Sequence, residues 1–144
     1  MDAIEWLERD HQKIKSLLGE LLASDSAKRC RVVFEALEME FESHRDAEER
    51  VLHPWCEGFD ETRRFVEQHQ RQHLQIKDRF AELSPMKDES LFDQTRSLDA
   101  LLMNHMESEE QELVPAIRSV AARPERERLG RKLETAKHEF EMAA

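Results

Sequence analysis

His44-Arg-Asp-Ala-Glu48-Glu49-Arg-Val-Leu52-His53-Pro54 and His105-Met-Glu-Ser-Glu109-Glu110-Gln-Glu-Leu113-Val114-Pro115 share one pattern, H-x3-E-E-x2-L-x-P, and start 61 residues apart (44 to 105). On a helix, positions i and i+4 share a face, so each copy sets an imidazole beside a carboxylate. Those side chains are ligands for a first-row transition metal. A second repeat has nearly the same offset. His11-Gln-Lys-Ile14-Lys-Ser-Leu-Leu18-Gly-Glu-Leu21 matches His73-Leu-Gln-Ile76-Lys-Asp-Arg-Phe80-Ala-Glu-Leu83, shifted by 62 (11 to 73). The recurring unit is therefore a helix with one His followed by a helix with His-x3-Glu. Two copies, rather than a longer array, fit a duplicated hairpin closing on itself.

Composition agrees with helices. The 144 residues suffice for one domain with its own core. Charged residues make up 38% and hydrophobic ones 39%, with three glycines, four prolines and no tyrosine, a balance that favours long amphipathic helices. No β-branched run alternates over a strand length. A net charge of −10, from 22 basic and 32 acidic residues, argues against nucleic acid or an anionic membrane as partner. The acidic N-terminus is unlike a secretory signal, and no apolar window is long enough to span a bilayer. Cys30 and Cys56 lack a zinc-type spacing and read as reduced thiols of a cytoplasmic protein.

Apolar spacing predicts the helices. Ile4, Leu7, Ile14, Leu18 and Leu21 form a stripe after an Asp2 cap, and His11 fills its one gap. A second helix follows Ser24-Asp25-Ser26 and carries Val33, Leu37, Phe41, His44, Glu48, Val51 and Trp55 until Pro54 and Gly58 end it. A third, from Asp60, shows Phe65, His69, His73, Ile76, Phe80 and Leu83. A fourth, from about Asp88, shows Leu91, Leu98, Leu102, His105, Glu109, Ala116 and Val120, with a kink or early end expected at Pro115. Arg123-Pro124-Glu125 opens a shorter fifth helix. The expected fold is all-α: an up-down-up-down four-helix bundle (1–122) with a short C-terminal helical extension (123–144).

Seven seam positions thus hold His or Glu where a plain bundle would hold Leu. Left unpaired in a core, such groups would cost several kcal/mol each. Either a His–Glu hydrogen-bond network or bound metal must compensate. Two carboxylates among neutral imidazoles leave a charge that divalent cations offset. Ferritin-like di-iron bundles need Glu-x-x-His on two helices. Only Glu8-Arg-Asp-His11 has that spacing, and its repeat-mate position is Gln70.

The arrangement resembles the hemerythrin family, including its bacterial HHE cation-binding members, over about residues 3 to 120. That family's pattern is matched by His11, by His44 and Glu48, by His69 and His73, and by His105 with Glu109. The resemblance implies two non-haem irons, joined by an oxo or hydroxo group when oxidised. It places His11 and His44 on one iron and His69, His73 and His105 on the other, with Glu48 and Glu109 bridging. The unequal split leaves the first iron open to dioxygen or another small diatomic or peroxide ligand. Animal oxygen carriers have His-x4-Asp on the fourth helix, where this chain has His-x3-Glu.

Leu102 and Met106 flank His105 and are candidates for an oxygen pocket, or for plain core. Glu49 and Glu110 are expected in solvent or accepting the free N–H of a ligating His. His53, half a turn from His44, and His138 are expected at the surface or in packing, and Trp6 and Trp55 at the apolar ends of the bundle. Three functions follow: dioxygen binding for storage, delivery or sensing; an enzyme acting on peroxide or nitric oxide; or an iron- or redox-responsive regulatory module.

Overall fold

Asp2 and Glu5 open the first helix with a reciprocal capping box: the Glu5 N–H donates to Asp2 at 2.9 Å and the Asp2 N–H donates to Glu5 at 3.2 Å. Ser26 caps the second helix by accepting from the Arg29 N–H. The computed structural model describes residues 1–144, and all its regular elements are helical. They are α1 (Ala3–Leu22), α2 (Ala27–Ala47), α3 (His53–Cys56), α4 (Asp60–Arg63), α5 (Val66–Leu83), α6 (Asp88–Gln94), α7 (Ser97–Ser108), α8 (Val114–Val120) and α9 (Arg123–Ala143).

The repeated motif has a structural meaning beyond its ligands. Glu48–Leu52 and Glu109–Leu113 are both π-helical turns, linking α2 to α3 and α7 to α8. In each, the carbonyl of the motif's first Glu accepts from the N–H five residues on, at His53 and Val114. Pro54 and Pro115 follow directly, and a proline ring collides with the carbonyl four residues back, here Arg50 and Gln111. A wide turn relieves that collision. The expected kink at Pro115 is thus replaced by a π turn, and the helix runs on to Val120.

α1 packs on α2 and α5 on α7, which are the two hairpins of the sequence repeat. Each of the third and fourth expected helices is interrupted once. At Phe65 and Leu98 the backbone N–H reaches only three residues back, to Thr62 and Thr95. The fifth helix is longer than its apolar stripe suggests: α9 spans 21 residues and lies across α1 and α2. Gly130 permits the close crossing, since a Cβ there would stand 2.5 Å from the Met1 carbonyl oxygen.

The core has two halves. Trp6, Leu7, Leu52, Val66, Leu113, Ile117, Leu129 and Leu133 belong to one cluster; Ile14, Phe34, Phe41, Ile76, Phe80, Leu102 and Met106 belong to the other. Each contains 15 buried residues, so the polar layer between them is covered on both sides. No helix is long and apolar enough to cross a membrane.

Candidate metal centre

α1, α2, α5 and α7 each deliver one buried imidazole to that layer, as His11, His44, His73 and His105. The two π turns begin with its carboxylates, Glu48 and Glu109, both fully buried. What the imidazoles do on their outer sides decides what they offer inside. His44 Nδ1 donates to Asp10 Oδ2 at 2.9 Å, His73 Nδ1 to Glu49 Oε2 at 2.9 Å, and His105 Nδ1 to Gln72 Oε1 at 2.7 Å. His11 Nδ1 faces Glu110 Oε1 at 3.3 Å, off line for a hydrogen bond. With their protons held outward, neutral His44, His73 and His105 turn Nε2 lone pairs inward, while His11 Nε2 hydrogen-bonds Glu109 Oε1 at 2.9 Å.

The rest of the interior is then made of acceptors. His44 Nε2 lies 2.7 Å from Glu48 Oε1 without a hydrogen bond between them. His73 and His105 bring their Nε2 atoms to 3.1 Å of each other. Glu48 Oε1, Glu48 Oε2 and Glu109 Oε2 have no hydrogen-bond partner. Lone pairs at such distances repel unless a cation stands between them. The ligand atoms fall into two groups, His11–His44–Glu109 and Glu48–His73–His105, each within 4.8 Å. Both carboxylates reach across: Glu48 Oε1 is 2.7 Å from His44 and 3.3 Å from His73, and Glu109 Oε1 is 2.9 Å from His11 and 3.3 Å from His105. This donor set fits two divalent cations, with the carboxylates placed between them.

Electrostatics say the same. Burial disfavours charge on His105, but the close carboxylates of Glu109 and Glu48 push its pKa up to about 9. His44 is raised well above the ordinary value, burial being outweighed by the Glu48 charge, by its hydrogen bond to Asp10 and by the nearby Glu109 carboxylate. His11 is raised against burial by Glu109 and Glu110. Burial pushes Glu109 up, yet His105 and His11 hold it well below the usual carboxylate range. Without metal, protons are the cations this layer draws in.

Six of the seven expected ligands lie in the two groups. His69 stands beside them: its Nε2 donates to Ser108 Oγ at 3.1 Å, its Nδ1 has no partner, and its ring centroid is 5.6 Å from that of His105. Leu102 and Met106 are buried in the second core cluster, next to His105 along α7. Glu49 and Glu110 both face a ligand-type imidazole, each from the hairpin opposite. Cys30 and Cys56 are buried free thiols, and burial pushes Cys56 up to about 12.

Three residues were not legible as part of the site. His53 is 2% exposed rather than at the surface. A regular helix puts it half a turn from His44, but the residue inserted by the π turn sets it back by about 100°. Trp6 does not cap an end; its ring lies flat on His44, 5.2 Å between centroids and 8° between planes. Lys137, on α9, is buried and bonds Asp10 at 2.9 Å and Glu40 at 2.6 Å, so His44 is backed by an ion pair where His105 has the neutral Gln72.

The fold and centre define a class: an all-α helical bundle with a buried His/carboxylate site for two cations. The sequence profile of the Hemerythrin HHE cation binding domain family matches residues 2–117, and the chain belongs to that family. The structure is similar to the crystal structure of a Hemerythrin HHE cation binding domain-containing protein, an Rv2633c homolog from Mycobacterium kansasii. The TM-score is 0.85 and the identity 22%, covering 99% of this chain and 89% of that one. The chain is also 28% identical over 147 aligned positions to a DNA nickase of Nostoc sp.. That alignment covers 98% of this chain but only 40% of the relative's length.

Proposed function

We propose that the chain is a non-haem di-iron protein that binds dioxygen at the centre of an up-down-up-down bundle formed by α1, α2, α5 and α7. The carrying observation is the acceptor-rich interior, in which Glu48 and Glu109 each approach imidazoles of both groups. Glu48 and Glu109 would bridge, His11 and His44 would hold one ion, and His73 and His105 the other, with His69 beside it on Ser108. When bound, the irons supply electrons reversibly to a small ligand.

The chain's own residues provide the rest. Asp10, Glu49 and Gln72 fix the ring orientations and raise or moderate ligand basicity. The two apolar clusters, with Leu102 and Met106, keep water away. The absence of tyrosine removes a radical-forming side chain. One observation favours a second reading, an enzyme acting on peroxide or nitric oxide: the imidazoles of His53 and His69 supply polar groups beside the second metal position. The net charge of −10 favours no nucleic-acid partner, and the nickase activity named for the longer relative is not proposed for this chain.

Iron quantitation with absorption spectra under alternating air and dithionite tests the proposal. Two irons per chain and a spectrum that cycles with oxygen are expected. Zinc without colour would sink it, and irreversible oxidation in air would leave the enzymatic reading.

A further inference from the structure

His53 is sealed from solvent, and neither of its ring nitrogens has a hydrogen-bond partner. Its ring stacks beside that of His73, 5.4 Å between centroids and 23° between planes, and lies 6.5 Å from His69. A neutral imidazole carries one N–H donor and one lone pair. Both are here buried without a protein partner, a costly arrangement that a polar ligand would relieve.

The internal repeat shows which metal position this concerns. The repeat-mates of His53 and His69 are Val114 and Leu7, both buried in an apolar cluster. The pseudo-twofold therefore sets two imidazoles beside the Glu48–His73–His105 group and two aliphatic side chains at the matching places beside His11–His44–Glu109. The two metal positions differ in their surroundings, and the second has the polar one.

His53 is unlike the ligand-type histidines. A ligating His donates its other N–H to an outer partner, which fixes the tautomer and turns the lone pair to the metal. His44, His73 and His105 have such partners, and His69 has Ser108, which passes its own proton to Glu112 at 3.2 Å. His53 has none, and its nitrogens are not among those gathered within 4.8 Å. A surface cleft lined by Phe65, Glu112 and Pro115 adjoins the same end of the site, with the Phe65 ring stacked on His69.

We propose that His53 hydrogen-bonds a small exogenous ligand, of the azide and peroxide class, taken up beside the second metal, the one that Glu48, His73 and His105 would hold. This rests on the two-metal reading above. It differs from the family-based expectation, which leaves the first metal open.

The test is azide titration of the iron-loaded chain, followed by its charge-transfer absorption, with iron content measured on the same samples. Two apolar variants are used, His53→Val, which copies the repeat-mate, and His53→Leu, closer in volume. His53→Gln restores a donor. Both apolar variants are expected to keep two irons while azide affinity falls about tenfold, a weakening of the size of one hydrogen bond. His53→Gln should recover much of it. Unchanged azide affinity in whichever apolar variant folds would make His53 a packing residue and overturn the proposal. Loss of one iron would make it a metal ligand and overturn it equally. A parent chain that takes up no metal removes the two-metal reading and this proposal together.

Discussion

Glu48 and Glu109 stand where two demands meet: each opens a π turn and each is pressed against imidazoles from two hairpins. Such a carboxylate keeps its charge only if a cation is close. In the metal-free protein that cation is a proton on His105, His44 or His11, whose pKa values are all raised. For His105 the folded value of about 9 exceeds the unfolded value of about 6.5. Its contribution to stability is therefore complete below about 6.5 and is lost as pH rises through about 9. Metal uptake has the opposite sign, because the ion must displace that proton. Metal affinity should increase with pH up to about 9. Calorimetry at pH 7 in two buffers of different ionisation enthalpy should show protons released per ion bound, and binding without proton release would contradict the scheme.

Among the elements, α9 contributes most that its sequence does not advertise. It places Leu129, Leu133 and Ala136 in the same cluster as Trp6 and Leu7, and its Lys137 closes a chain of contacts through Asp10 to His44. Asp10 is fully buried, so removing Lys137 leaves its charge with His44 as chief partner. Lys137→Met should destabilise the fold by about 3 kcal/mol, the cost of breaking a buried ion pair, readable by urea unfolding. It should also weaken metal binding by roughly 10- to 100-fold at the His11–His44–Glu109 position, because Asp10 is no longer held in place to orient the His44 ring. The other position, backed by Gln72, should hold its ion unchanged. A variant that lost both ions in parallel would show that α9 acts only through global stability.

For the molecule as a whole, the polar layer divides one core into two. A metal taken up by the folded chain would find no assembled site in the unfolded one, so occupancy and stability would be linked. Metal held at about 100 times its dissociation constant adds about 2.7 kcal/mol. For a chain of this size that corresponds to a rise in Tm of roughly 5–10 °C. Stripping the protein with a chelator should lower Tm by that much, and re-addition should restore it. Equal melting curves with and without metal would mean that the layer is satisfied by protons and hydrogen bonds alone.

Much of this could be read along the chain. The H-x3-E-E-x2-L-x-P repeat placed His44 with Glu48 and His105 with Glu109 because i and i+4 share a helix face, a rule that needs no tertiary information. The stripes through His11 and His73 fixed the facing helices in the same way. Other features depended on distance in space. The π turns broke the 3.6-residue period on which the placement of His53 relied, so a residue read as half a turn from His44, at the surface or in packing, is a buried neighbour of His73. Lys137 lies 127 residues from Asp10, and no local spacing links them. Trp6 looked like a cap until helix crossing laid it on His44. The sequence by itself determined which residue types face the bundle axis, since periodicity is a local property of the backbone. Only the tertiary structure decided which of them meet, and which nitrogen each imidazole turns inward. Those outcomes depend on partners brought by other helices.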